Sequence, residues 1–323
     1  MSERFPAVPA PAAELLPPRP RRRFRADRIA GRLVPYGLVV PAAAVICAVL
    51  GYPLYLLGKL SLEKYDLEQV LTRKGVWVGA ANYTKVLGDS EFWHVVGRTL
   101  IFTTVNVSLT MVLGTLIALL LAALGRFMRL LLTTGLVLVW AMPVVVSVNI
   151  WLWMVDYEFG VANWTLSHLG LGSFRHHDWF VNPWSGWGVI TAVVVWGALP
   201  FVAITIYAGL TQVPEELVEA AAIDGAGGWR VFRDITFPIL KPIFIILTSL
   251  SIIWDFQVFN QVWLMRDQRP TSDYYLMSVY SFVESFKISH YGLGSAIALI
   301  MVATMLVVSF VYVRQMVKLG EVR

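Results

Sequence analysis

Apolar residues gather in six runs, each long enough to cross a lipid bilayer, and polar segments separate them. The runs lie at about Val34–Leu57, Thr99–Leu124, Leu130–Val155, Trp187–Leu210, Ile243–Met265 and Gly292–Val313. About 20 apolar residues make a helix that spans the hydrocarbon core of a membrane. Because a backbone inside lipid must satisfy its own hydrogen bonds, each run is predicted to be a helix. The pattern therefore predicts an all-α integral membrane protein with six transmembrane helices.

Composition agrees with this class and excludes a soluble globular domain. Hydrophobic residues make up 57% of the 323-residue chain and charged residues only 15%, with a mean hydropathy of +0.66. Cys47 is the single cysteine, which excludes an internal disulfide and a cysteine metal cluster. The pair His176–His177 has no further ligands at useful spacing, so no metal site is predicted.

The distribution of basic residues predicts the orientation of the spans. Residues 1–32 are rich in proline, alanine and arginine, so we expect a disordered tail before a membrane domain at residues 33–323. The tail ends in a cluster of six arginines, Arg21, Arg22, Arg23, Arg25, Arg28 and Arg32. Segments rich in Lys and Arg stay in the cytoplasm. Six spans return the C-terminal tail to the same side, so both termini are predicted to be cytoplasmic.

A charged insert at residues 211–241 joins the fourth and fifth runs on the cytoplasmic side. Pro214 suits the start of a helix, and Glu215 and Glu216 favour the positive end of its dipole. Gly225 is predicted to end this helix, and a second short helix is expected over Trp229–Asp234. The alternative is an amphipathic segment lying on lipid headgroups, but Pro214–Asp224 lacks the Lys and Arg typical of one. The insert is therefore predicted to be a docking surface for another protein.

The insert resembles the EAA signature of permease subunits of binding-protein-dependent ABC importers, and most of all the sugar-type branch. The core of the signature reads Glu219-Ala220-Ala221, then Gly225, then Ile235-Thr236-Phe237-Pro238. Phe237 stands where leucine is usual. Segments elsewhere extend the resemblance from about residue 34 onward; they are Tyr157–Asn163, Trp196–Phe201, Ala208–Leu210 and Phe259–Trp263. Arg266–Pro270 departs from the family, because it lacks the glycine-rich run usual before that proline.

The resemblance implies partners and a division of labour. The insert would be a coupling helix that docks on a cytoplasmic ABC ATPase dimer, beside a second homologous permease, with an extracytoplasmic sugar-binding protein delivering substrate. The implied coupling residues are Glu219, Ala220, Ala221, Asp224, Gly225, Ala226, Phe232 and Pro238. The sequence contains no G-x-x-x-x-G-K-[ST] pattern. ATP and Mg are therefore expected to bind the ATPase. This chain is expected to bind no cofactor and to have no enzymatic activity. The implied location is the bacterial plasma membrane.

Polar residues inside apolar runs are candidates for the substrate pathway, because a mid-membrane acid costs roughly 2.5–3.5 kcal/mol on insertion scales. Ser251 and Asp255 share one helix face, and in sugar-type relatives the position matching Asp255 faces the cavity. At about 100° per residue, Gln257, Asn260 and Gln261 fall on a nearly opposite face, which we expect to pack on helices. The alternative is that Asp255 pairs with a buried polar group and only orders the bundle.

Aromatic residues complete the predicted pathway, because sugar rings stack their C–H faces on aromatic rings. Trp196 and Trp254 are the candidates, with Ala198 beside Trp196 by its match to the family's fourth span and Asn149 as a further polar candidate. Ordinary packing in lipid or core is the alternative for each tryptophan. Pro143 and Pro200 are expected to interrupt their spans as kinks or hinges, or else to be tolerated.

Two other functions are alternatives to that of an importer subunit. A stand-alone secondary transporter predicts several charged residues in the spans, yet Asp255 is the only acid well inside one. A membrane enzyme would need acids or histidines clustered at a membrane face, as metal ligands or around a nucleophile. The Glu215–Asp224 cluster has no histidine. Carbohydrate import, of a disaccharide or oligosaccharide, is the expected function; glycerol-phosphate and polyamine are the alternative substrates.

Overall fold

The structure is a computed structural model that describes residue 37 and residues 39–321, with the side chains of 319–321 left aside. The predicted tail at residues 1–32, with its boundary to the membrane domain, lies outside the described residues. The chain divides into two compact units, Met1–Tyr55 and Leu56–Arg323. Helix α1 is Val39–Ser61 and contains a π-helical turn at Cys47–Gly51.

A two-stranded sheet and two short helices follow α1. Strand β1 (Glu63–Lys64) pairs antiparallel with β2 (Val76–Trp77), and helix α2 (Leu67–Thr72) lies between them in sequence. Helix α3 (Ala81–Gly88) comes next. The Asn82 side chain donates hydrogen bonds to the carbonyls of Ser61 and Glu63, at 2.8 and 2.9 Å. These bonds tie α3 to the start of the hairpin.

Ten further helices make up the rest of the described chain. They are α4 (Ser90–Ala123), α5 (Arg126–Trp140), α6 (Val144–Met154), α7 (Val161–His168), α8 (Pro183–Leu210), α9 (Glu215–Ile223), α10 (Gly228–Phe256), α11 (Asn260–Met265), α12 (Met277–Phe282) and α13 (Tyr291–Glu321). A π-helical turn lies inside α10 at Phe232–Thr236, and another follows α12 at Val283–Lys287.

Side-chain caps fix where two of the long helices begin. The Asp89 carboxylate accepts the backbone N–H of Glu91 at 3.0 Å at the start of α4. The Asn182 side chain does the same for Trp184 at 2.9 Å, and Pro183 then occupies the first turn of α8, where its missing N–H costs nothing. Both helices begin before the apolar runs predicted from the sequence, since the caps lie in the polar flanks.

Within residues 39–321, five helices are long and apolar enough to cross a membrane, and a sixth crossing results if a bent pair counts as one span. The five are α1, α4, α8, α10 and α13, and the bent pair is α5 with α6. The two halves of that pair meet at 103° around Pro143. Pro143 therefore breaks its span as expected, whereas Pro200 lies inside the uninterrupted helix α8.

The fifth span differs from the sequence prediction at both ends. It was predicted over Ile243–Met265, after a separate short helix at Trp229–Asp234. The structure instead has one helix from Gly228 to Phe256, which passes through Pro238 and Pro242. It ends where the N–H groups of Gln257 and Val258 bond to carbonyls three residues back, at 3.2 and 3.3 Å. A tightened last turn of this kind closes a helix.

Glycines bring the long helices into close contact. A side chain at Gly114 on α4 would come within 2.6 Å of the Val202 side chain on α8. A side chain at Gly209 on α8 would similarly meet Ile243 of α10 at 2.6 Å. Ala118, Val202, Ile206 and Leu247 form a buried cluster at this junction. Small residues that let backbones approach are the usual basis of helix packing in membranes.

Candidate functional site

A cavity of about 330 Å³ lies between the bent pair α5–α6, helix α8 and the end of α10. Its lining consists of Val139, Trp140, Met142, Val144, Ser147, Val193, Val194, Trp196, Gly197, Ala198, Ser251, Trp254, Asp255, Val258 and Gln261. Residues on both sides of the bend at Pro143, among them Trp140 and Val144, form one wall. Five of the six predicted pathway residues border this cavity: Ser251, Trp254, Asp255, Trp196 and Ala198.

Asp255 is the acidic residue in the lining of the cavity. The residue is only 4% exposed, and Ser251, one turn earlier on the same face of α10, is 3% exposed. Within residues 39–321, Oδ2 of Asp255 has no hydrogen-bond partner in the protein. A buried carboxylate without a protein partner is costly, and Asp255 lines the cavity, so a ligand or water there is the remaining candidate partner for this side chain. The alternative prediction, that Asp255 pairs with another buried side chain, finds no such pair within this range.

Aromatic rings border the same space. Trp196 packs edge-on against Trp151 of α6, with ring centroids 6.0 Å apart. Trp254 packs edge-on against Phe201 at 5.2 Å and is 46% exposed, so much of its surface stays free to contact a ligand. Rings held by neighbours at fixed angles present rigid apolar surfaces next to the Asp255 carboxylate.

The helical-wheel argument was wrong for Gln261 and Gln257. Gln261 lines the same cavity as Ser251 and Asp255, although the wheel placed it on a nearly opposite face. The reason is that α10 ends at Phe256, so the 100° rotation does not continue to residue 261. Gln257 does not pack on other helices in this chain: it is exposed, and its amide donates to the Ile253 carbonyl at 3.1 Å.

Asn149 does not line the cavity. Ser147 and Trp140 do line it, although the sequence analysis did not predict them. Asn149 is exposed on α6 and donates to the carbonyl of Val145 at 2.8 Å. Trp140 and Ser147 are seven residues apart, a spacing that puts side chains on one helix face, and the 103° bend at Pro143 lies between them. Pro143 was the sequence signal for that bend, but a proline alone does not give its angle.

A layer of short elements covers the end of α10 and is held by two arginines. Arg98 of α4 donates to the carbonyls of Ser272 and Tyr275 at 2.7 and 3.0 Å. The Arg266 guanidinium lies 4.5 Å from the centre of the Tyr274 ring, a cation–π distance. Burial raises the pKa of Tyr274, against the opposing effect of Arg266, so its hydroxyl stays protonated and donates to the Phe180 carbonyl at 3.3 Å.

The insert between α8 and α10 presents an exposed helix, α9, with a sharp end. Gly225 has φ +77°, a left-handed conformation that favours glycine, so the predicted helix stop is confirmed. Glu219, Ala220 and Asp224 are exposed, and Ala221, Ala226 and Phe232 are half-buried. Ile223 and Trp229 are 87% and 72% exposed, an apolar surface beside acidic groups. Pro238 is exposed on the first part of α10.

Membrane-length helices around a largely apolar cavity with Ser147, Ser251, Asp255 and Gln261 in its lining, and an exposed helix between two of the spans, fit a membrane transport protein. The chain belongs to the family of binding-protein-dependent transport system inner membrane components, which it matches over residues 111–319. The resemblance to sugar-type permease subunits of ABC importers is thereby confirmed, and such subunits are not enzymes. Multi-pass membrane insertion is a property of this family.

Relatives cover nearly the whole chain. The diacetylchitobiose uptake system permease protein DasB of Streptomyces coelicolor is 44% identical over 299 residues, or 93% of this chain and 91% of that protein. The trehalose/maltose transport system permease protein MalF of Thermococcus litoralis is 31% identical over 281 residues, or 86% and 92%.

A solved structure shares the fold. A chain of a bacterial ABC transporter involved in the import of the acidic polysaccharide alginate superposes with a TM-score of 0.75 at 18% identity. The superposition covers 91% of this chain and 98% of that one. At this identity the likeness supports the all-α permease fold and no finer property.

Proposed function

We propose that this chain is the permease subunit of an ATP-driven ABC importer that carries a disaccharide or short oligosaccharide across the bacterial plasma membrane. The observation that carries the substrate class is the cavity, whose lining combines the Asp255 carboxyl group, which has no protein partner at Oδ2, with Trp140, Trp196 and Trp254. A carbohydrate needs hydrogen-bond acceptors for its hydroxyls and apolar surfaces for its ring faces. The names of DasB and MalF, both carbohydrate permeases, support the same class.

The lining of the cavity favours a neutral sugar over glycerol-phosphate. Within the described residues, this lining includes Asp255 and neither Lys nor Arg. A phosphate would therefore find no basic side chain there to offset its charge. Ser147, Ser251 and Gln261 add neutral hydrogen-bonding groups suited to hydroxyls.

The insert is the proposed contact with a cytoplasmic ATPase dimer. Glu219, Ala220, Ala221, Asp224, Gly225, Ala226, Phe232 and Pro238 are the proposed coupling residues. Exposed apolar side chains at Ile223 and Trp229 give a partner surface to bury, and the acidic groups of α9 supply specificity. Since α10 runs without interruption from Gly228 to Asp255, motion of the insert is transmitted along one helix to the cavity.

The remaining assignments follow from this docking. A second homologous permease completes the pathway, and an extracytoplasmic binding protein captures the sugar and delivers it at the opposite face. ATP and Mg belong to the ATPase. Both termini and the insert lie in the cytoplasm, and alternating access opens the Asp255 cavity to one side at a time.

Co-purification tests the assembly. The tagged chain is isolated in mild detergent from its native host, and its partners are identified by mass spectrometry. We expect a second permease and an ATPase, with the ATPase lost from a Gly225→Pro variant, because proline cannot adopt φ +77° and lacks the N–H that bonds to the Ala222 carbonyl. Gly227→Ala is the matched control, since Gly227 has φ −70° and open space around it. A wild-type chain that purifies without an ATPase would contradict the proposal.

A further inference from the structure

A groove on the other side of α10 from the cavity lies between helices α4, α10 and α13. It consists of two recesses, of about 600 and 290 Å³, which share Ile252 of α10 and Val308 of α13 in their walls. Apolar side chains dominate the larger recess, among them Met111, Phe244 and Val311. The Asp255 cavity shares no residue with either recess.

The larger recess has the depth of one membrane leaflet. Its wall on α10 extends from Phe237 to Ile252. At 1.5 Å per residue the stretch from Lys241 to Ile252 rises about 16 Å, and half of a hydrocarbon core of roughly 30 Å is about 15 Å; Phe237, about 6 Å further along the helix, falls at the level of the headgroups. A lipid tail entering from the membrane face that carries the insert would therefore reach from Lys241 to the shared residues Ile252 and Val308.

Positive charge gathers at the mouth of this recess. Lys241 is exposed on α10, and exposed Lys318 lies one turn beyond the lining residue Gln315, on the same side of α13. Within the described residues no acidic side chain lines either recess. Asp234, two turns before Lys241, is already bonded to Arg233 at 2.8 Å. The mouth therefore favours an anion at the level of the lipid headgroups.

The size of the recess distinguishes a lipid tail from a protein helix. A membrane-spanning helix about 30 Å long and 10 Å across occupies about 2,000 Å³ or more. The two recesses offer about 600 and 290 Å³, which is too little for a helix but suits a single flexible chain.

From the depth, the charge and the size together, we propose that this groove binds an anionic phospholipid. One acyl chain occupies the larger recess, and the headgroup phosphate lies at Lys241, with the Gln315 amide able to donate a further hydrogen bond.

Native mass spectrometry of the complex purified through the full chain tests the headgroup. Phosphatidylglycerol and phosphatidylcholine with identical chains are added in turn. We expect one phosphatidylglycerol to be retained preferentially, and about fivefold weaker retention in Lys241→Gln, the effect expected for one lysine at an anionic surface. Lys85→Gln, at an exposed lysine on α3, is the control. Equal retention of both lipids, or no change in Lys241→Gln, would overturn the proposal.

A second pair of variants tests the tail site. Val308→Trp fills the junction of the two recesses and should abolish the preferential retention, whereas Val313→Trp, at an exposed valine of the same helix, should not. In native membranes, a photoreactive amino acid placed at position 308 should give an adduct with the mass of a phospholipid. A cross-link to a polypeptide, or the absence of a lipid adduct, would overturn the proposal and favour a helix of another subunit in the groove.

Discussion

Asp255 combines burial with a free carboxylate oxygen at the end of a membrane helix. Ser251, one turn before it, and Gln261, after the end of α10, border the same space. Since an acid in a span costs roughly 2.5–3.5 kcal/mol, a chain that only needed a stable bundle would gain by replacing it. We propose instead that the Asp255 carboxyl group binds a substrate hydroxyl.

Asp255→Asn keeps the size of the side chain and removes its charge. We expect uptake by the assembled importer to fall by about tenfold or more, because hydrogen bonds to charged groups contribute about 1.5–3 kcal/mol. The measurement is the rate of labelled oligosaccharide uptake into proteoliposomes. Gln257→Ala, two residues away but exposed, is the control and should leave the rate unchanged. A melting temperature that falls in Asp255→Asn while the uptake rate holds would assign Asp255 to folding instead.

At the level of the elements, the bend between α5 and α6 creates the cavity. The N–H groups of Ala141 and Met142 close α5 by bonding to Val137 and Val139, at 2.9 and 3.2 Å. Pro143 cannot donate the next bond in the series, so the helix stops and restarts at 103°. Trp140 and Ser147 consequently face one space from two directions.

Pro143→Ala restores the missing N–H and should straighten the pair. Spin labels at positions 137 and 150, both exposed, report on this in a chain whose single Cys47 is replaced by alanine. We expect their separation to lengthen toward the roughly 20 Å of a straight helix, and uptake to fall with the loss of the cavity wall. Pro200→Ala is the control, because Pro200 lies within a continuous helix. The same separation in Pro143→Ala and the native chain would refute the role given to this proline.

Some of these elements follow from sequence and others do not. The apolar runs and the end of α9 at Gly225 can be predicted from the sequence, since hydropathy and the preference of glycine for a left-handed backbone conformation are local properties. The end of α10 at Phe256 cannot, because residues 257–265 contain neither proline nor glycine and the helix closes by backbone bonds. The angle at Pro143 depends on how α5 and α6 pack against α8 and α11, which are distant in the sequence. Ser251 and Asp255 lie within α10, so the helical periodicity placed them together correctly. Gln261 lies beyond the end of α10, so the same periodicity misplaced it.

For the molecule as a whole, stability depends on the close packing of α4 against α8. Gly114 leaves room for Val202, which is 1% exposed and, being β-branched, has little freedom to move. Gly97 lies on the same helix with open space around it.

Alanine at these two glycines should have opposite effects on stability. Gly114→Ala places a methyl group within 2.6 Å of the Val202 side chain and should destabilise the folded chain by about 1–3 kcal/mol. Gly97→Ala should stabilise it slightly, because alanine is the better helix former by about 1 kcal/mol. Melting temperatures in mild detergent give the comparison. A Gly114→Ala chain as stable as Gly97→Ala would contradict the packing described for this interface.

The most direct test of the central claim is transport by the reconstituted complex. The assembly isolated through this chain is placed in liposomes with its binding protein on the face opposite the insert, and labelled disaccharide uptake is followed with and without ATP. We expect the labelled disaccharide to accumulate inside the liposomes only when ATP is present on the side of α9. This accumulation should be lost in the Gly225→Pro variant. Uptake by this chain alone, without ATP, would contradict the importer assignment and identify a stand-alone transporter.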